Sequence, residues 1–304
     1  GSANATTATL ARICIPEMER YKYKTPFASA AVAAGGTLGA LIPPSVLLII
    51  YGALTSEPIG QLLIAGIIPG LSMALLFMLL IYFQVRLNPE LAPQRVEKVS
   101  LSEKIASLKS VWPFLLIFIV SIGGIYQGFF TPTEAGGVGA FSALVVALIM
   151  RRITFKQIVA SLQETMSITV MIFLVLIGAS LFSRFLALSR IPVYITYKIE
   201  GLSVSPIVIL LLIIGVYIVL GMFLEGIAIL VLTMPIIYPI IIDLGFDGIW
   251  FGIIMIILIN IGVLTPPLGL TVFIISGIVP HVPITNLFRA VIPVIFVMLL
   301  DRKS

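Results

Sequence analysis

The chain has 304 residues, 60 % of them hydrophobic and 10 % charged, with a mean hydropathy of +1.21. Soluble domains carry about 25 % charged residues, so this composition describes an integral membrane protein. The net charge of +5 does not point to nucleic acid, because the basic residues sit in short loops between apolar runs, and the single Cys14 excludes a disulfide framework or a thiolate metal site.

Residues 1–18 are small and polar at first and become apolar gradually, and a short basic loop with Arg20, Lys22 and Lys24 follows. Residues 26–54 read as a broken helix with Pro43-Pro44 between its halves, and 62–85 as a full span ending at Arg86. The segment 86–110 is a basic linker. Within it Ser100 and Glu103 form a capping-box pattern ahead of Leu101, Ile105 and Leu108, which predicts a short amphipathic helix on the membrane surface. Spans are predicted at 111–130 and 133–150 around the turn Thr131-Pro132-Thr133, with Glu134 as a capping acid. A second capping box, Thr154 and Gln157, opens another amphipathic arm with Phe155, Ile158 and Leu162, and 166–188 is the next span.

Residues 205–242 hold two limbs, 205–220 and 227–242, around Gly221-Met222-Phe223-Leu224-Glu225-Gly226. Each limb would be about 24 Å long at 1.5 Å per residue, short of the ~30 Å hydrocarbon thickness. A re-entrant hairpin is expected, against the alternative of two short full spans joined by a tight turn. A second broken helix covers 248–279, with Pro266-Pro267 at its centre and His281 solvated in the loop after it. A last helix, 284–300, ends at Asp301.

The two double prolines belong to one repeated pattern. Thr37-Leu38-Gly39-Ala40-Leu41-Ile42-Pro43-Pro44 recurs as Asn260-Ile261-Gly262-Val263-Leu264-Thr265-Pro266-Pro267, an offset of 223 residues. Pro16 falls on Pro239 and Ala5 on Ala228 at the same offset; after a slip of two residues Pro58, Leu62 and Ala65 fall on Pro283, Leu287 and Ala290. The chain therefore reads as a duplicated membrane unit: repeat 1 over 1–85, a linker over 86–110, and repeat 2 over 111–304. Proline has no N–H, so the carbonyls of Gly39, Ala40, Gly262 and Val263 lose their helical donors. Bare carbonyls in hydrocarbon cost several kcal/mol, and a small cation is one way to satisfy them; ordinary proline kinks are the other reading.

The basic loops give the orientation. Loops 19–25, 86–110, 151–156 and 281–289 carry 12 Lys/Arg, against three in 55–57, 127–133, 184–204 and 243–247, which places the first set in the cytoplasm. Four full spans lie between the first broken helix and the second hairpin, so the broken helices run in opposite senses. That is the inverted repeat of an alternating-access transporter.

Several motifs carry a family resemblance: Gly1-Ser2-Ala3-Asn4-Ala5-Thr6, Ile15-Pro16-Glu17-Met18, Ala34-Gly35-Gly36-Thr37-Leu38-Gly39 and Ile42-Pro43-Pro44-Ser45. Ala65-Gly66-Ile67-Ile68-Pro69-Gly70, Thr131-Pro132-Thr133-Glu134-Ala135, Gly221-Met222-Phe223-Leu224-Glu225-Gly226 and Leu264-Thr265-Pro266-Pro267-Leu268-Gly269 complete the set. Together they resemble the large membrane subunit of tripartite ATP-independent periplasmic (TRAP) transporters. The resemblance implies an all-α polytopic fold of the ion-transporter type with elevator motion, in a bacterial inner membrane. It also implies sodium-driven import of small organic acids such as C4-dicarboxylates or sialic acid. The implied partners are a small four-helix membrane subunit, a periplasmic substrate-binding protein and membrane lipid. By repeat symmetry roughly 110 residues would precede Gly1, and the last helix would stop early, so the chain alone is expected not to transport.

Each cation site is expected to pair a hairpin tip with the facing helix break. The first set is Ser2, Asn4, Gly36, Thr37 and Gly39; the second is Gly221, Gly226, Asn260, Gly262 and Thr265. Sodium suits such carbonyl, hydroxyl and amide oxygens. Glu225 is the one acid deep in an apolar stretch, able to ligate a cation, to orient the tip, or to stand solvated if the tip opens to water. No cofactor beyond sodium is called for. A membrane enzyme lacks its inventory here, with one loop histidine and one deep acid. Another sodium/organic-anion symporter of the same superfamily, or a non-transporting structural subunit, are the alternatives.

Overall fold

The computed structural model describes residues 1–93, 100, 102, 112–151, 153–190, 194 and 205–300, so the linker helix around Ser100 and Glu103 lies outside the described residues. The α-helices are α1 (Ala3–Arg20), α2 (Thr25–Leu41), α3 (Val46–Thr55), α4 (Ile59–Ala65), α5 (Ile67–Leu87), α6 (Trp112–Tyr126), α7 (Pro132–Ile149), α8 (Phe155–Ser189), α9 (Pro206–Phe223), α10 (Gly226–Asp243), α11 (Gly248–Leu264), α12 (Leu270–Ile278) and α13 (Ile284–Leu300). There is no strand among the described residues. Among the described residues, five segments are long and apolar enough to cross a membrane: Thr25–Thr55, Ile59–Leu87, Phe155–Leu174, Pro206–Phe223 and Gly226–Asp243. This is the all-α polytopic architecture that the composition demands, since only helices and closed barrels satisfy their backbones in hydrocarbon.

By packing, the chain divides into one unit of Gly1–Gln94 with Ala179–Ser304 and another of Arg95–Gly178, the boundary falling within α8. The first unit is built around α11, whose residues 251–264 are all buried. A helix apolar on every side has no solvent face and takes a central position. Helices α2, α3, α4, α9, α10, α12 and α13 pack on it, and α1 lies along α2 and α12.

Lipid is as apolar as leucine, so helices associate here through close contact rather than through the hydrophobic effect. Gly221 of α9 and Gly262 of α11 meet backbone to backbone: a Cβ on Gly262 would lie 2.4 Å from the Gly221 Cα. Gly36 and Gly39 of α2 receive Thr7 and Thr6 of α1, where a Cβ would come within 1.8 and 2.4 Å of the threonine hydroxyls.

Helix boundaries recur along the first unit. Residues 3, 20, 25, 41 and 55 open or close α1, α2 and α3, and 226, 243, 248, 264 and 278, each 223 further on, do so for α10, α11 and α12. The starts of α4 and α13, at 59 and 284, are 225 apart. Contacts at the ends give the directions. The Tyr51 hydroxyl in α3 donates to the Gly248 carbonyl at the start of α11 (2.6 Å), and Tyr238 donates to Glu57 (2.5 Å) in the same group. His281, just after α12, lies 3.0 Å from Glu19 at the end of α1, and Glu19 also accepts from Thr25 (2.6 Å) at the start of α2. Each broken helix therefore begins where the other ends, and the two run antiparallel. Lys24 joins the Glu19 end by its ion pair to Glu90 (3.0 Å), and its ammonium holds the Glu90 carboxyl below the usual range. Loops 19–25, 86–91 and 281–283 thus gather at one end, and loops 55–57 and 243–247 at the other.

Four sequence expectations are corrected. The hairpin limbs α9 and α10 have 18 residues each, about 27 Å of helix, because the interruption is only Leu224 and Glu225; their length no longer argues for re-entrance. His281 is paired with Glu19 rather than simply solvated. The predicted arm after Thr154 and the span 166–188 form one 35-residue helix, as no breaker separates them. Two of the four carbonyls expected to lack donors have them: Ala40 accepts from the Ser45 hydroxyl, and Gly262 from the Thr265 N–H (2.9 Å).

In the second unit α6 packs on α7. Gly128, at φ 74°, closes the turn after α6 in the left-handed conformation that glycine adopts without a Cβ penalty. Thr131 caps α7: its hydroxyl accepts from the Glu134 N–H (3.3 Å), while the Glu134 carboxylate accepts from the Thr131 N–H (2.8 Å), which is the predicted capping acid in place. The Thr154–Gln157 pair forms the same kind of bond at the head of α8, from the Thr154 N–H to Gln157 Oε1 (2.9 Å).

Gly262→Ala should lower stability in detergent by about 1–3 kcal/mol, the usual cost of overpacking, whereas Gly277→Ala, where a Cβ meets nothing within 4 Å, should not. Thermal unfolding of the two purified variants decides; equal midpoints would refute the close crossing. In a Cys14→Ser background, Ser56→Cys and Lys22→Cys should label from opposite membrane faces. Labelling of both from one side would overturn the antiparallel arrangement.

Candidate functional site

A cavity of ≈ 40 Å³ opens where the first turns of α1 and α10 converge. Gly1, Ser2, Asn4, Glu225, Gly226 and Asn260 bring its polar groups, and Leu47, Ile259 and Val263 form apolar walls. The volume exceeds the 10–15 Å³ or so that one water needs, so it accommodates a small ion or a compact polar group.

Both helix starts are capped, but differently. The Ser2 hydroxyl accepts from the Ala5 N–H (3.4 Å), a neutral cap that leaves the N–H groups of Ala3 and Asn4 outside the helical ladder. The Glu225 carboxylate accepts from the Ile227 N–H (3.1 Å) at α10. A helix N-terminus carries about half a positive charge. Glu225 compensates that of α10 with its own carboxylate, whereas the start of α1 stays electropositive.

The two asparagines of the cavity are anchored in opposite senses. Asn260, 1 % exposed, donates from Nδ2 to the Thr37 carbonyl (3.3 Å), and its Oδ1 is buried with no hydrogen-bond partner among the described residues. Asn4 accepts at Oδ1 from the Thr271 hydroxyl (3.2 Å). One is therefore bonded through its donor and the other through its acceptor. Thr37 and Asn260 are the equivalent positions of the two copies of the proline motif, so the copies touch each other directly.

The structure regroups the residues that the sequence analysis singled out. Ser2 and Asn4 of the first set share one cavity with Gly226 and Asn260 of the second, and with Glu225. Gly36, Gly39, Gly221 and Gly262 occupy helix crossings instead. The hydroxyl of Thr37 donates to Ala34 (2.7 Å) and that of Thr265 to Ile261 (2.6 Å), each back into its own helix, so both keep only lone pairs to offer. Pro43-Pro44 and Pro266-Pro267 stand between the helix halves, and both bonds are cis. Sequence reasoning missed Ser45 and Thr271. Ser45 lay inside a quoted motif, but its place in the second copy is taken by Leu268, so the repeat gave no cue. Thr271 comes four residues after Pro267, and only the packing of α12 on α1 brings it to Asn4.

Comparison with known proteins places this architecture in a family. The family model described as "Tripartite ATP-independent periplasmic transporter, DctM component" matches residues 1–301. The chain is 38 % identical over 301 residues to the C4-dicarboxylate TRAP transporter large permease protein DctM of Pseudomonas aeruginosa, covering 98 % of this chain and 69 % of that protein. It is 34 % identical over 296 residues to the sialic acid TRAP transporter large permease protein SiaM of Vibrio cholerae (97 % and 68 %). Against the 2,3-diketo-L-gulonate TRAP transporter large permease protein YiaN of Escherichia coli the identity is 33 % over 301 residues (98 % and 69 %). These relatives are transporter permeases and not enzymes. With its apolar spanning helices, its polar cavity and this match along almost its whole length, the chain belongs to the DctM family of TRAP transporter large permeases, multi-pass proteins of the inner membrane.

Proposed function

We propose that this chain is the transport subunit of a sodium-driven importer of small organic acids, and that one carboxylate group of the acid and a sodium ion meet at the cavity between α1 and α10. One observation carries the reading: two asparagines that line the cavity are bonded in opposite senses, which leaves the N–H donors of one and the amide oxygen of the other without a partner from each other's helix. A substrate carboxylate fits the start of α1, where the Asn4 amide and the uncompensated helix N-terminus supply N–H groups. A sodium ion fits Asn260 Oδ1 and the Glu225 carboxylate, since hard cations take oxygen ligands. Main-chain oxygens near Gly36, Thr37, Gly39, Gly221, Gly262 and Thr265 complete the cation surroundings in this proposal. Bound together, acid and ion neutralise each other in a medium of low dielectric. Either alone leaves a buried charge uncompensated, which is the physical basis for coupling one to the other.

The antiparallel broken helices and the recurring helix boundaries support an inverted repeat, the arrangement that alternating access requires. We infer an elevator motion in which the α1–α3 and α10–α12 segments carry the cavity across the membrane. The basic loops gathered around Glu19 face the cytoplasm in this reading. The proposed partners are a small four-helix membrane subunit and a periplasmic binding protein that delivers a C4-dicarboxylate, sialate or similar acid, as the word tripartite in the family description suggests.

The test is uptake of labelled succinate and N-acetylneuraminate into proteoliposomes holding the full complex under an inward sodium gradient. Glu225→Gln should raise the sodium concentration for half-maximal uptake about tenfold, the loss of one charge-assisted contact. An unchanged sodium dependence would remove Glu225 from the ion's coordination. Replacing Pro43-Pro44 by Ala-Ala should join α2 to α3 and abolish sodium-coupled uptake; full uptake by that variant would defeat the proposal.

A further inference from the structure

We propose that Thr271 is a positioning residue for substrate recognition: its hydroxyl fixes the Asn4 amide so that Nδ2 turns toward the cavity, and so sets the site's preference for an anion. The inference rests on the function proposed above and extends it to a residue that does not line the cavity.

An asparagine side chain is nearly symmetric in shape but not in chemistry, since one end accepts and the other donates. Left to itself in the cavity, Asn4 could turn either end toward a ligand. An oxygen facing inward would repel a carboxylate and attract a cation; an NH₂ would do the reverse. A hydroxyl can serve either end of an amide, and here Thr271 donates to the oxygen. It is fully buried in the first turn of α12, held against α1 by the packing of the two helices, and donates to Asn4 Oδ1 at 3.2 Å. A carbonyl in place of this hydroxyl would select the opposite orientation. Asn260 shows that case within the same cavity: the Thr37 carbonyl takes its Nδ2, and its Oδ1 is left over.

Each asparagine is thus set by a partner from the other copy of the duplicated unit: Asn4, before the first double proline, by Thr271, after the second, and Asn260 by Thr37. Position 271 corresponds at the 223-residue offset to Leu48, an apolar residue that can orient nothing. The device therefore exists on one side only, and it makes two pseudo-equivalent helix starts chemically different. Thr271 touches neither ion nor acid in this account. Its effect runs through Asn4 alone.

The experiment measures succinate and N-acetylneuraminate uptake by the reconstituted full complex, with half-saturating acid and half-saturating sodium determined separately. Thr271→Val keeps the shape and removes the donor. It should raise half-saturating acid about three- to tenfold, the size of one neutral hydrogen bond, with maximal rate and half-saturating sodium within about twofold of wild type. Thr271→Ser should restore wild-type values. In the double variant Asn4→Ala/Thr271→Val, the second change should add nothing to the first, because the residue being oriented is gone. Additive losses, a parallel rise in half-saturating sodium, or failure of serine to rescue would each assign Thr271 a merely structural role and overturn the inference. Wild-type complex that takes up neither acid under a sodium gradient would overturn the function proposal itself, and this inference with it.

Discussion

A polypeptide inside hydrocarbon has no water to bond its main chain, and the broken helices of this protein are arranged around that constraint. Two double prolines each remove donors in the middle of an apolar run. The structure answers with groups from the chain itself: the Ser45 hydroxyl on Ala40, the Thr265 N–H on Gly262, and the Asn260 amide reaching across to Thr37. The first two act within their own breaks, and the last joins the two interruptions. The Thr37 carbonyl and the Asn260 amide are polar groups that the duplication brings together at the meeting point of two antiparallel helices.

Close packing makes that meeting possible. Gly262 against Gly221, and Gly36 and Gly39 against Thr7 and Thr6, bring helix axes near enough for main-chain and short side-chain groups to touch. Larger residues would hold the helices apart, and polar groups at the breaks would face lipid. Four glycines that first looked like ion ligands are thus foremost the residues that permit the crossings. At these crossings the absence of a side chain decides their identity.

The cavity breaks the symmetry that the repeat would impose. A neutral serine caps α1 and a carboxylate caps α10, at positions 223 residues apart. The two asparagines are turned opposite ways by unlike partners. Duplication alone would give two equal half-sites, suited to one kind of ligand. The divergence of a few residues makes the two helix starts unlike, one capped by a hydroxyl and one by a carboxylate.

Much of this was legible in the residues. The composition required a membrane protein, the double prolines marked both helix breaks, and the 223-residue offset located equivalent positions. Sequence reading placed the tip of the hairpin within a few residues and found its acid. It misjudged the limb lengths, because Gly221 reads as a breaker until its partner Gly262 is seen. It also divided the cavity residues between two sites and passed over Thr271. Periodicity and proline act through neighbours along the chain, so the sequence by itself determined the helices and their interruptions. Which carbonyl is capped, which glycine faces which, and which end of an amide turns inward depend on groups hundreds of residues apart, and only the tertiary structure decided them.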